Sequence, residues 1–123
     1  MITTLLVAFL VAHGLVHLAV WLPHPDPAKP APFAPDHSAV LTRTAVPEST
    51  ARQVAVALAA AAGLAFTLTA VAVAVDTGWA VPMAMAASLL GLCLKVLYFN
   101  PWLLLGLLLD AAVLVGAATW PWQ

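Results

Sequence analysis

Four stretches of apolar residues, 2–22, 54–75, 79–99 and 101–120, are nearly free of charge and are separated by three polar dividers. Each is close to the roughly 20 residues that a helix needs to cross about 30 Å of hydrocarbon. Only a helix satisfies every backbone N–H and C=O within its own segment, so in lipid even the Val-rich runs are predicted to be helical. The pattern therefore predicts an all-α, four-transmembrane-helix bundle in a single domain, 1–123. Its spans are expected at 2–22, 51–75, 79–99 and 101–120, with one long Pro-rich loop, 23–50, between the first two. The first run has no basic segment before it and is too long for the core of a signal peptide, so it is read as a retained span.

The dividers carry helix punctuation. Thr50 and Gln53 have the spacing of a capping box at the start of the second helix. Asp76-Thr77-Gly78 reads as a tight turn between the second and third. Pro82 falls in the first turn of the third, where a missing N–H costs little. Asn100-Pro101 has the order of N-cap then first helical residue for the fourth. Trp21, Trp79, Trp102, Trp120 and Trp122 lie at predicted span ends, where indole rings anchor at the headgroup level. Residues 23–49 hold seven of the ten prolines, which predicts extended chain outside the hydrocarbon, with a short turn expected over 37–43. The short second and third dividers make the last three helices antiparallel neighbours.

Composition strengthens this picture. The 123 residues are 64% hydrophobic and 7% charged. A water-soluble domain carries about 25% charged residues, so lipid is the expected solvent for most of the surface. The net charge of −1 and only four Lys or Arg leave no basic patch for nucleic acid. Three of those cations (Lys29, Arg43 and Arg52) belong to the long loop and its flank, and Lys95 lies near the same side. The rule that cationic loops stay inside predicts a cytoplasmic loop with both termini outside. The single Cys93 cannot form an intrachain disulfide and reads as a small filler between helices.

Small residues mark the faces expected to point inward: Ala60, Gly63, Thr67, Ala70 and Ala74 on the second helix, and Ala84, Ser88 and Gly91 on the third. In lipid, close approach at such positions replaces the hydrophobic drive between helices. Four ionisable residues fall within the spans: His13, His17, Lys95 and Asp110. A charge near mid-membrane costs about 2.5–3.5 kcal/mol on insertion scales, so such groups are expected to face inward and to be paired. Counting about 1.5 Å per residue places His17 and Lys95 in one layer and His13, Ser88 and Asp110 in a deeper one, both in the loop-side half. If the stripes share the bundle axis, His13, His17, Ser88, Lys95 and Asp110 form one intramembrane polar cluster. Asp110 is its acid, and Lys95 is its cation or snorkels outward. His24 and His37 are expected to be solvent-exposed loop residues.

The bland role of such a cluster is interhelical hydrogen bonding that fixes packing and register. The same residues suit two other roles. Asp and His within a span can pass protons, and two imidazoles with a carboxylate suit a transition metal, with His13, His17 and Asp110 as ligands. Haem ligation by a single His is a weaker variant of the last. No cofactor is predicted. No GxSxG, HExxH, CxxC or phosphate loop is present, and Ser88 with His and Asp110 lacks the elbow and oxyanion turn of a triad. The leading expectation is thus a non-catalytic subunit or accessory protein, as a homo-oligomer or within a larger membrane complex.

His13-Gly14-Leu15-Val16-His17, the loop motif Pro32-Phe33-Ala34-Pro35, and Phe99-Asn100-Pro101-Trp102 followed by Gly106 and Asp110 together resemble a group of small four-span membrane proteins of high-GC, actinobacterial-type bacteria. The resemblance implies the same four-span fold and directs attention to the His pair and Asp110. It implies no activity, substrate or cofactor, and Lys95 is not part of its pattern.

Overall fold

A computed structural model describes residues 1–23, 26–29 and 37–119. These residues form helices and turns, with no named strand among them. The elements are α1 (Ile2–Trp21), a short α2 (Ala39–Arg43), α3 (Glu48–Ala74), α4 (Ala80–Leu97), a 3₁₀ turn (Pro101–Leu103) and α5 (Leu104–Thr119). Four helical stretches, Ile2–Trp21, Glu48–Ala74, Ala80–Leu97 and Pro101–Thr119, are long and apolar enough to cross a membrane. His24, the 32–35 motif, Trp120 and Trp122 lie outside the described residues.

Local chemistry sets each boundary. The second long helix starts at Glu48, with Pro47 as N-cap and no side-chain cap, so the Thr50–Gln53 capping box expected from the sequence does not form. Pro47 takes the extended conformation and its carbonyl accepts from the Ala51 N–H at 2.9 Å, which starts the ladder before Thr50 is reached. Glu48 then sits in the first turn, where its charge complements the helix dipole. At the other end Asp76 adopts φ 51°, Thr77 N–H donates to Ala72 O, and Asp76 N–H donates to Val73 O. That is the Schellman arrangement, with Asp in the place usually given to Gly. The Asn100 side chain accepts from Trp102 N–H at 2.9 Å with Pro101 following, as the sequence predicts, although the first turn is 3₁₀.

Among the described residues of the loop, the short turn expected over 37–43 is the helix α2, Ala39–Arg43. Ser38 is buried and serves two helices at once: it accepts from Leu41 N–H as N-cap of α2 and donates to Leu97 O at 2.6 Å. Arg52 donates to Leu22 O and Pro23 O at 3.2 and 3.1 Å. The last carbonyl of α4 and the two carbonyls that follow α1 are thereby satisfied by Ser38 and by Arg52 of α3. His37 is exposed, as expected.

The helices pack in the order α1, α3, α4, α5, each long helix lying closest to its neighbour in that order. Two apolar clusters fill the interior. Trp21, Ala55, Ala59, Leu94, Tyr98 and Leu103 form the cluster at the loop end, under Leu41 of α2. Leu10, Ala65, Phe66, Ala70 and Ala87 form the other. Trp21 is therefore a core residue, 1% exposed and edge-on to Tyr98, and not an anchor at the surface. Its position on the His13–His17 stripe turns it inward. Trp79 and Trp102 do lie exposed. Cys93 is exposed and fills no gap between helices, because the inward stripe of α4 runs through Gly91, Leu94 and Lys95.

The inward stripe of α3 also differs from expectation. Gly63 and Ala70 are buried, but Ala60, Thr67 and Ala74 are exposed. The buried line runs through Ala51, Ala55, Ala59, Ala62, Phe66 and Thr69. Small residues occur all around α3, so size alone does not mark its packing face. Close approach is concentrated at Gly14 of α1 and Gly63 of α3. A Cβ on Gly14 would stand 2.9 Å from Gly63 O, and one on Gly63 would stand 3.0 Å from Gly14 O. Gly14→Ala is expected to lower stability by about 1–3 kcal/mol through this overlap with backbone. Gly116→Ala, where an added Cβ meets nothing within 4 Å, is expected to be neutral or mildly stabilising. Thermal unfolding of both variants in mild detergent checks the contrast.

Candidate functional site

His13 and His17 lie one turn apart on α1 and face the same way. Their rings meet edge to face at 4.9 Å. Around them Phe66 of α3 stands perpendicular to His13 at 4.7 Å and stacks on His17 at 5.4 Å, while Phe9 stacks on the free face of His13 at 5.5 Å. The imidazoles are thus boxed by aromatic faces and reach polar groups only through their edges.

Those edges meet α4 and α5. His13 Nε2–H donates to Asp110 Oδ1 at 2.6 Å. Lys95 donates to Asp110 Oδ2 at 2.6 Å and to His17 Nε2 at 2.8 Å. His17 Nδ1–H donates to the carbonyl of His13 at 2.9 Å. That last bond places the ring proton on Nδ1, so Nε2 presents a lone pair to the ammonium. The distance of 3.8 Å between His17 Nε2 and Asp110 Oδ2 leaves Lys95 between two acceptors that do not bond each other. Asp110 and Lys95 are 0% and 5% exposed, and the histidines 6% and 2%. One carboxylate and one ammonium offset each other, and each is further hydrogen-bonded to an imidazole, as buried charges require.

Glycines make the room. A Cβ on Gly91 would run into the Asp110 carboxyl group, and one on Gly106 would lie 2.7 Å from Lys95 Cε. Gly91 precedes Lys95 by one turn on α4, and Gly106 precedes Asp110 by one turn on α5. In the antiparallel pair each long polar side chain therefore occupies the gap left by the other helix's glycine. This reciprocal glycine–charge spacing is visible in the sequence but becomes meaningful only once α4 and α5 are set in register. Phe9 and Phe66, which box the rings, carry no sequence signal that separates them from ordinary core residues.

Four of the five sequence-selected residues meet in this network. Ser88 is on the same α4 stripe and fully buried, but its hydroxyl has no hydrogen-bond partner and it stays outside. The site lies between the two apolar clusters. Along α1 the order is Leu10, His13, His17, Trp21, and along the 3₁₀ turn and α5 it is Leu103, Asp110, Val113. Comparisons with protein-family models, curated proteins and solved structures returned no match.

Truncating one partner of a buried ion pair costs about 3–5 kcal/mol, because the other charge is left uncompensated. Asp110→Asn and Lys95→Met are each expected to lose stability on that scale, whereas the double variant Lys95→Met/Asp110→Leu should recover most of it. Ser88→Ala should cost little or nothing, since it removes a buried hydroxyl with no partner. A double-mutant cycle from unfolding curves in detergent measures both. A double variant no more stable than the singles would show that the pair does not act as a unit.

Proposed function

We propose that this chain is a multi-pass protein of a bacterial cytoplasmic membrane, with all four long helices crossing the bilayer as a bundle. Its role is that of a non-catalytic accessory subunit that packs laterally against a larger membrane assembly or further copies of itself. The observation that carries this reading is how the polar groups and the surface are divided. The intrahelical charges are consumed in an internal, neutral network, while α1 and α5 leave long apolar faces outside. Ile2, Leu5, Leu15 and Val16 on α1, and Leu104, Leu105, Leu108 and Val115 on α5, are all exposed. Such faces suit lipid or a neighbouring helix, for which van der Waals packing is the main recognition. The cation bias of the loop and its flank supports a cytoplasmic loop end with both termini outside.

A second reading draws on the continuity of the network. His17, Lys95, Asp110 and His13 form an unbroken hydrogen-bonded run of titratable groups, the material of a proton path. The apolar clusters on both sides close that run, so conduction would require one of them to open.

Gentle extraction followed by native mass spectrometry tests the leading reading: a second polypeptide or a second copy of the chain is expected. Leu105→Trp with Leu108→Trp, at positions 70% and 56% exposed, should release that partner while shifting stability by no more than about 0.5 kcal/mol. Retention of a bare monomer would count against it. Proton flux into dye-loaded liposomes by that monomer, abolished in Asp110→Asn, would favour the second reading. For topology, a Cys93→Ala background carrying Thr44→Cys should react with an impermeant maleimide only from the cytoplasmic side. Thr77→Cys should react only from outside, and the reverse pattern would invert the orientation.

A further inference from the structure

We propose that His13, His17 and Asp110 form a three-ligand site for a divalent transition-metal ion, kept closed by Lys95, whose ammonium stands where the ion would bind. This goes beyond the accessory role and does not depend on it.

One ligand atom from each of the three residues falls within 4.8 Å of the other two, and all three residues are buried. Two imidazoles and one carboxylate suit zinc, cobalt or ferrous iron better than the hard alkaline-earth ions, which prefer all-oxygen sites. The donors are also held as metal ligands usually are. His17 donates Nδ1–H to the His13 carbonyl at 2.9 Å, which fixes its tautomer and aims the Nε2 lone pair into the site. His13 directs Nε2 at the same carboxylate that Lys95 contacts. When His13 binds an ion through Nε2, its ring proton moves to Nδ1, so only its hydrogen bond to Asp110 is given up.

Lys95 supplies the second observation. Its Nζ lies 2.8 Å from His17 Nε2 and 2.6 Å from Asp110 Oδ2, directly on two of the lone pairs an ion would use. The chain has thus built a cation site and filled it with a tethered cation. Metal–ligand bonds of about 2.0–2.2 Å are shorter than these two contacts, so His17 Nε2 and Asp110 Oδ2 would have to close in by less than an ångström. For an ion to enter, the ammonium would have to leave along its own stem as the loop-end apolar cluster gives way. Lys95 is in the last turn of α4, and its stem passes over Gly106, which places no side chain in its path. Lysines near helix ends extend their head groups to the interface in this manner. Phe9 stacks on one face of His13 and Phe66 on one face of His17, so the rings meet polar groups through their Nε2 edges.

Charge sets the expected affinity. With Lys95 in place the site is neutral, and replacing the ammonium by a divalent ion leaves it with a surplus positive charge. The wild-type protein should therefore bind metal weakly and the variant without the ammonium tightly. The test is a Co²⁺ titration of full-length, chelator-stripped protein in mild detergent, followed by visible d–d absorption and equilibrium dialysis. Lys95→Met is expected to bind one Co²⁺ per chain at least roughly tenfold more tightly than wild type, since a competent state populated below about a tenth is made permanent. Adding His17→Gln should abolish that gain. Lys95→Met no tighter than wild type, or a gain that survives His17→Gln, overturns the proposal. If Lys95→Met does not assemble without metal, it is expressed and purified with Co²⁺ present. Recovery of folded, coloured protein then supports the proposal, and failure to recover it overturns it.

Discussion

The Asp110 carboxylate is the group on which the rest of the arrangement depends. A buried negative charge needs a counter-charge and hydrogen bonds on both oxygens, and here one oxygen is served from α1 by His13 and the other from α4 by Lys95. Two helices, α1 and α4, are therefore fixed in rotation and depth relative to one carboxyl group on α5. α1 and α5 are not neighbours in the packing order, and the His13–Asp110 hydrogen bond joins them. A solely apolar interior would tolerate sliding or rotation of such helices at little cost. A charge that can be satisfied in only one geometry does not.

Everything around the cluster serves to keep it dry and in register. Gly91 and Gly106 let α4 and α5 come close enough for Lys95 and Asp110 to reach each other. Gly14 and Gly63 bring α1 and α3 together at the same level, which presses Phe66 against both imidazoles. Above and below, the Trp21–Leu94–Tyr98 and Leu10–Phe66–Ala87 clusters exclude water, so the cluster's interactions act in a low-dielectric setting. At the loop end, Ser38 ties the last carbonyl of α4, Arg52 ties the two carbonyls that follow α1, and the Tyr98 hydroxyl donates to Ala51 O. These bonds hold the upper apolar layer in place over the polar one.

Much of this was legible residue by residue. The four apolar runs, the Asn100-Pro101 start and the Asp76 turn follow from length and backbone chemistry, which act within a few neighbouring residues. The inward stripe of α4 was also legible, because Ser88, Gly91 and Lys95 are its exceptional members in an otherwise apolar run. The stripe of α3 was not, since alanines occur on all its faces and nothing local distinguishes Ala59 from Ala60. Thr50 and Gln53 misled for a related reason: a capping-box spacing is a local option, and Pro47 had already set the helix start three residues earlier.

The sequence by itself determined that four apolar helices must form and that any ionisable group within them must find a partner, because both follow from the cost of unsatisfied polar atoms in an apolar setting. It also determined which residues those were. Only the tertiary structure decided that Lys95 turns inward to Asp110 while Ser88 is left unpaired, and that Trp21 joins the core. Those outcomes depend on helix rotation and register, which are set by contacts between residues as far apart as His13 and Asp110, and no local pattern encodes them.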